Sequence, residues 1–201
     1  MKKIVKDALI LTLITLIAGC ALGIVHEITK KPISAARKAA IDEAYQAVFS
    51  DAASFSDVKG FNSEDASKYV HKKGYDEVSI ESAALAKDKS GKTLGYVIGV
   101  TDSNSYGGDV VFYMGVRSDG TMNGYSITEI SDTPGLGMKA KEDKFMKEFQ
   151  GIKAGKYEVS KAGGGKGKIE AISGATITSK AVTTGVNAGF CYFDYLMGGA
   201  K

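Results

Sequence analysis

The chain has 201 residues, 44% of them hydrophobic and none of them tryptophan, which suits one domain with an appendage and excludes disorder on a large scale. The net charge is +3, but residues 1–31 hold five lysines against Asp7 and Glu27, leaving 21 basic and 21 acidic residues in the remainder. A neutral domain lacks the basic footprint of nucleic-acid binding, and two histidines with two distant cysteines, Cys20 and Cys191, offer neither a metal-site spacing nor a structural disulfide. Any redox chemistry must therefore come from an organic cofactor.

Residues Ala8 to Val25 form 18 consecutive uncharged positions, a helix of about 27 Å that nearly crosses a bilayer core. Lys2, Lys3 and Lys6 precede this run and place the N-terminus in the cytoplasm, with everything after Lys31 outside it; Lys30 and Lys31 act against that bias. Residues 1–31 are thus expected to be a membrane anchor and residues 32–201 an extracytoplasmic domain. Leu16-Ile-Ala-Gly-Cys20 resembles the lipobox of bacterial lipoproteins, but the apolar run continues past Cys20, which favours a retained single-pass helix.

Pro32 to Phe49 reads as a second helix, opened by proline and striped by Ile33, Ala36, Ala40, Ala44 and Val48, with Ile41 and Tyr45 beside them. Residues 51–75 show no clear period and are expected to be loop with short helical turns. Further on, Lys89-Ser-Gly-Lys92 separates Ser82–Lys87 from Leu94–Val100, and Ser118-Asp-Gly120 separates Asp109–Val116 from Met122–Ile130. Two antiparallel hairpins follow, and with flanking helices the fold class is α+β. Lys141–Gln150 reads as a short helix with Phe145, Met146 and Phe149 turned inward and Gly151 as its stop.

Two glycine-rich stretches imitate nucleotide motifs. Ala162-Gly-Gly-Gly-Lys-Gly-Lys168 lacks the first glycine and the final hydroxyl of a P-loop, where Ala162 and Ile169 stand, and reads as a flexible connector. Gly135-Leu-Gly-Met-Lys-Ala140 fits a dinucleotide fingerprint, but Pro134 and the preceding hairpins do not supply a βαβ unit. What these residues predict is a rigid turn that lets backbone approach a flat ligand.

Glu170-Ala-Ile-Ser-Gly-Ala-Thr-Ile-Thr-Ser179 crowds hydroxyls onto one loop. Behind it Val182, Val186, Phe190, Phe193 and Met197 recur at helical spacing, predicting a helix over about 178–197. Thr176, Thr178 or Ser179 would cap its start, where free N–H groups and the positive end of the helix dipole favour an anion.

Ser173-Gly-Ala-Thr176, with an acidic residue three positions before the serine, resembles the flavinylation motif of the FMN-binding domain found in the G subunit of Rnf complexes and the C subunit of sodium-translocating NADH:quinone reductases. Tyr106-Gly-Gly108, Asp132-Thr-Pro-Gly-Leu-Gly137 and Phe145-x-x-x-Phe149-x-Gly151 extend that resemblance over nearly the whole chain. It implies FMN joined to Thr176 by a phosphodiester bond, installed from FAD by a Mg-dependent flavin transferase that recognises Glu170. Ser173, Gly174 and Ala175 would shape the attachment turn, while Thr133, Gly135, Leu136 and Gly137 flank the ring. No general acid or base and no metal ligand is implied.

The sequence departs from the family in having Glu170 where aspartate is usual, Ile130 and Asp132 in the places of a His-x-Glu pair, and Phe145 in place of tryptophan. The function implied is that of an electron-carrying subunit beside other membrane subunits of an Rnf-type ferredoxin:NAD+ ion-translocating oxidoreductase, not catalytic alone. The alternatives are the quinone-reductase C-type subunit, a stand-alone tethered flavoprotein, and a cofactor-free surface binding module.

Overall fold

The computed structural model describes residues 2–162 and 165–199, and the chain divides into two compact units, Met1–Ala40 and Ile41–Lys201. The first unit is helical throughout its described length. Its helix α1 (Lys2–Val48) is long and apolar enough to cross a membrane, and residues 8–25 are all exposed. Thr12 and Thr15 donate their hydroxyls to the carbonyls of Ala8 and Leu11, at 2.9 and 3.1 Å, so the polar groups of the apolar run are satisfied within the helix itself.

Pro32 does not open a second helix. It lies inside α1, which runs on through it without the bond that its missing N–H would give to the Ile28 carbonyl. The expected stripe is also shorter than its spacing suggests: Ile33 and Ala36 are exposed, and only Ala44 and Val48 are buried.

The second unit is built on a five-stranded antiparallel sheet in the order β1-β2-β3-β4-β5. Its strands are β1 (Ser54–Asp57), β2 (Val78–Lys87), β3 (Thr93–Ser105), β4 (Gly108–Arg117) and β5 (Met122–Ile130). Both expected hairpins form, with Ala84 facing Val97 and Met114 facing Tyr125. A third turn at Tyr106-Gly107 joins β3 to β4, so the four long strands are one meander.

Period-2 alternation gives the sheet two faces. Val97 and Tyr113 meet the end of α1, packing with Ala44, Val48 and Phe49. This approach is close because residue 115 is glycine: a Cβ there would lie 2.9 Å from Val48 Cβ. The Asn123 side chain donates to the Val48 carbonyl at 2.8 Å and satisfies the end of α1.

On the other face Ile98, Val100, Phe112 and Met114 pack against α4 (Thr176–Asp194). Thirteen of its nineteen residues are buried, among them Val182, Val186, Phe190 and Phe193, each contributing about 1.5–3 kcal/mol by leaving water. Gly185 lets the helix sit down on the sheet, since a Cβ there would come within 2.8 Å of the Phe112 ring. The helix starts two residues earlier than its stripe predicts, and Met197 lies past its end, half exposed. Cys191 is half-buried on this helix, and Cys20 and Cys191 are both free thiols.

Residues 51–75 are more regular than expected. They contain β1 and α2 (Ser63–His71), whose N-cap Asn62 accepts from Asp65 N at 3.1 Å. Lys141–Gln150 is broken into a 3-10 turn (Gly137–Lys141), the single turn α3 (Asp143–Met146) and another 3-10 turn (Lys147–Phe149). Phe145 and Phe149 point inward as expected, Met146 is half-buried, and the chain leaves through Gly151 at φ +75°. A short parallel pair, β6 (Glu158–Ser160) and β7 (Lys168–Glu170), precedes the hydroxyl loop. Of the connector expected at 162–168, residues 163 and 164 lie outside the described residues.

Candidate functional site

The start of α4 faces the Thr133–Gly137 turn across a cavity of about 390 Å³. Tyr106, Asp132, Thr133, Leu136, Gly137, Gly174, Ala175, Thr176, Ile177 and Thr178 line it. Six residues that the sequence nominated meet here: Thr133, Leu136, Gly137, Gly174, Ala175 and Thr176.

The turn has the geometry its composition demands. Thr133 O accepts from Leu136 N at 3.1 Å, Pro134 occupies the second position, and Gly135 takes φ +76° at the third. Gly135 shapes this turn without lining the cavity. Gly137 lies so close to Asp132 that a Cβ would collide with its carboxylate. From the opposite wall, Gly174 at φ +77° presents bare backbone 3.0 Å from Leu136 Cδ2, measured from where its Cβ would be.

Asp132 holds the walls together. Its buried carboxylate accepts from Ser105 Oγ at 2.9 Å, from Gly107 N at 2.6 Å and from the Thr178 hydroxyl. Three separate segments, the β3–β4 turn, the Thr133 turn and α4, are thereby fixed to one side chain. Tyr125 adds a fourth support, donating its buried hydroxyl to Ala140 O at 2.7 Å under the 3-10 turn; burial raises the Tyr125 pKa above its ordinary value.

The hydroxyls of the loop divide by use. Thr178 is engaged by Asp132, and Ser179 accepts from Ile172 N and donates to Ala175 O, both at 2.9 Å. Neither caps the helix: the N-cap is Ala175, which makes no side-chain bond, so the first-turn N–H groups have no side-chain acceptor. Thr176, half-exposed on the cavity wall, makes no hydrogen bond through its hydroxyl among the described residues.

Ser173 and Glu170 fall elsewhere. Both are exposed and line a neighbouring cavity of about 200 Å³ together with Glu142, Glu148 and Phe145. Glu170 N donates to Glu148 Oε2 at 3.4 Å.

Five large apolar side chains stay exposed among the described residues of the second unit, namely Tyr106, Leu136, Ile177, Tyr195 and Met197, and the first three line the Thr176 cavity. An uncapped helix start beside a free hydroxyl, rimmed by exposed apolar groups and floored by glycine backbone, fits a ligand with a phosphate at one end and a flat ring at the other.

A family profile described as an FMN-binding domain matches residues 105–190, a span that contains every residue of this cavity. The G subunit of the Na(+)-translocating ferredoxin:NAD(+) oxidoreductase complex from Acetobacterium woodii is 33% identical over 190 residues, covering 92% of this chain and 89% of the relative. The chain belongs to the G-subunit family of ion-translocating oxidoreductase complexes. Another member of this family, the G subunit of the proton-translocating ferredoxin:NAD(+) oxidoreductase complex from Clostridium ljungdahlii, is also 33% identical, over 88% of this chain and 84% of its own. Among solved structures, the C subunit of the Na(+)-translocating NADH-quinone reductase from Parabacteroides distasonis aligns with a TM-score of 0.49 at 24% identity, over 66% of this chain and 68% of that one.

In this family member the residues that sequence reasoning does not nominate are Asp132 as the hub, Thr178 as its partner, and Tyr106 and Ile177 on the rim. Their local signals are membership of the Tyr106-Gly-Gly108 and Asp132-Thr-Pro motifs and of the hydroxyl loop, which holds Ile177 and Thr178, and none of these signals assigns the roles.

Proposed function

We propose that the chain is the FMN-carrying, electron-transfer subunit of an ion-translocating ferredoxin:NAD+ oxidoreductase complex, with FMN joined by a phosphodiester bond to Thr176. The observation that carries this reading is the free Thr176 hydroxyl at an uncapped helix start, on the wall of a cavity whose rim is exposed and apolar.

The flavin, when bound, supplies the redox chemistry. The protein's part is to hold and orient. The first-turn N–H groups of α4 and the positive end of its dipole suit the phosphate charge, while Thr178 and Ser179, spent on other partners, leave that end open. Leu136, Ile177 and Tyr106 offer apolar surface without enclosing it, which suits a ring that must meet electron donors and acceptors at its edge. Thr133 and Gly137 set the opposite wall on the turn that Gly135 shapes, and Ser173 and Glu170, on the adjoining surface, are read as contacts for the flavin transferase. No residue acts as general acid or base, and the subunit works only with the other membrane subunits of its complex.

The helix α1 is read as a single-pass anchor with its lysine-flanked N-terminus in the cytoplasm, and residues 32–201 as the extracytoplasmic domain. Co-expressed with a flavin transferase, the protein is expected to run as an ultraviolet-fluorescent band on a denaturing gel, and Thr176→Ala to abolish the fluorescence. A dark wild-type band refutes the covalent reading, and fluorescence that survives Thr176→Ala refutes the attachment site. For the orientation, a cysteine placed at Ser90, in a chain otherwise free of cysteine, should react with a membrane-impermeant thiol reagent on intact cells, permeabilised if an outer membrane is present. Protection reverses the topology.

A further inference from the structure

Alternation along β3 puts Tyr96, Ile98 and Val100 on the face covered by α4, and the next position on that face is a carboxylate, Asp102. Its residue is 1% exposed. It lines a second cavity, of about 420 Å³, between the end of β3 and one stripe of α4 formed by Ile177, Lys180, Ala181 and Thr184. Ile177 belongs to this cavity and to the Thr176 cavity alike, so the two chambers adjoin across the first turn of α4.

Asp102 is poorly compensated for a buried acid. Oδ1 accepts from Asn104 N at 2.8 Å, and no other hydrogen bond or ion pair reaches the carboxylate among the described residues. The charged and titratable groups around its cavity are Tyr75, Asp76 and Glu77 from the segment before β2 and Lys180 from α4; β2 and β4 pair with Asp102 through Val78 and Val110, which are apolar. Two carboxylates against one unpaired lysine do not neutralise the site. Desolvation, followed by repulsion from Glu77, outweighs the Asn104 bond and holds the Asp102 carboxyl up at about 6.

We propose that Asp102 is a proton-binding site coupled to the charge carried in the Thr176 cavity, taking one proton from solvent when negative charge is placed there and returning it when that charge leaves. The inference rests on the reading of that cavity as the flavin site. The carboxylate becomes a carboxylic acid and nothing else changes at Asp102: the electrons enter and leave through the flavin and its partners, and the proton comes from water through the open cavity. The physical basis is that charge added across one turn of helix, in a medium less polar than water, disfavours a second negative charge beside it.

The test uses the full flavin-bearing chain in detergent, reduced with dithionite between pH 5 and 8, by infrared difference spectroscopy and by titration of the flavin midpoint potential. Reduction of the wild type is expected to convert a carboxylate band into a protonated-carboxyl band, and the midpoint potential to fall more steeply with pH than in Asp102→Asn, which should lack the band. Glu77→Gln should move the transition to lower pH by about half a unit. If Asp102→Asn does not fold, carbon-13 labelled aspartate in the wild type gives the same answer, as a carboxyl resonance whose midpoint rises by about half a unit or more on reduction. Flavin-bearing protein without the band or the shift overturns the proposal while leaving the flavin site standing, as does a band that persists in Asp102→Asn. A preparation that takes up no flavin overturns both.

Discussion

Replacing Asp132 by alanine removes one acceptor from three donors, and their surroundings set the cost. Gly107 N and the Ser105 hydroxyl lie in an exposed and a half-exposed turn where water can replace the lost partner, whereas Thr178 is 1% exposed and its hydroxyl would be left without an acceptor. A stranded buried hydroxyl costs about 1–3 kcal/mol, and the two resolvated bonds to a charged acceptor add about 1 kcal/mol together, so Asp132→Ala should lose about 3 kcal/mol. Asp132→Asn keeps an oxygen for Gly107 and offers an amide to hydroxyls that can rotate to accept, and should lose about half as much. Urea unfolding of the detergent-solubilised chain, followed by tyrosine fluorescence, reads the second unit alone, because all ten tyrosines lie beyond residue 40 and tryptophan is absent. A double-mutant cycle with Thr178→Val should return a coupling of about 1–2 kcal/mol. A loss below about 1 kcal/mol for Asp132→Ala, or additive effects in the cycle, would refute the hub.

Other substitutions probe the supports separately. Gly185→Ala drives a Cβ into the Phe112 ring and should cost about 1–3 kcal/mol in the same unfolding assay. Tyr125→Phe strands the Ala140 carbonyl and should cost about 1–2 kcal/mol, without altering the urea dependence of unfolding. Because the folded chain raises the Asp102 carboxyl to about 6 from 3.8, it holds a proton that the unfolded chain releases, so stability is lost as pH rises from about 4 to about 7. Discounted for contact with solvent, that loss is about 2 kcal/mol, and Asp102→Asn should flatten it and stabilise the protein at about pH 7.5. Lys153→Ala, which breaks the exposed pair with Asp119 and the exposed hydrogen bonds to the Asp119 carbonyl and the Thr121 hydroxyl, should leave the unfolding midpoint unchanged.

The parts of the fold that can be read from the sequence are those whose signals are local. Strand alternation with Ser118-Asp-Gly120 between the runs announces the β4–β5 hairpin, and the four-residue spacing from Val182 to Phe190 announces α4. Helix α2 escapes such a reading because it is short and mostly polar, burying only Ala66 and Val70; its clue is the cap, Asn62 followed by Asp65. Pro32 misleads because a proline preference for first turns says nothing about a helix already long on both sides. In the site, the glycine turn and the hydroxyl loop are legible as separate motifs. Their junction is not, since Asp132 meets Gly107, Ser105 and Thr178 across 25, 27 and 46 residues, and no local pattern encodes such contacts.

The burial of α4 also bears on when the proposed flavin attachment at Thr176 could take place. Thr176 is the first residue of a helix whose body is the centre of the core: its own end can fray, but the buried turns from Thr178 onward cannot open without much of the domain opening too. An enzyme that needed Thr176 in the middle of a long extended peptide would find that conformer rare. If Thr176 carries flavin as proposed, the enzyme that attaches it is expected to act on the finished fold and recognise a surface, which would make a correctly folded domain the checkpoint for attachment.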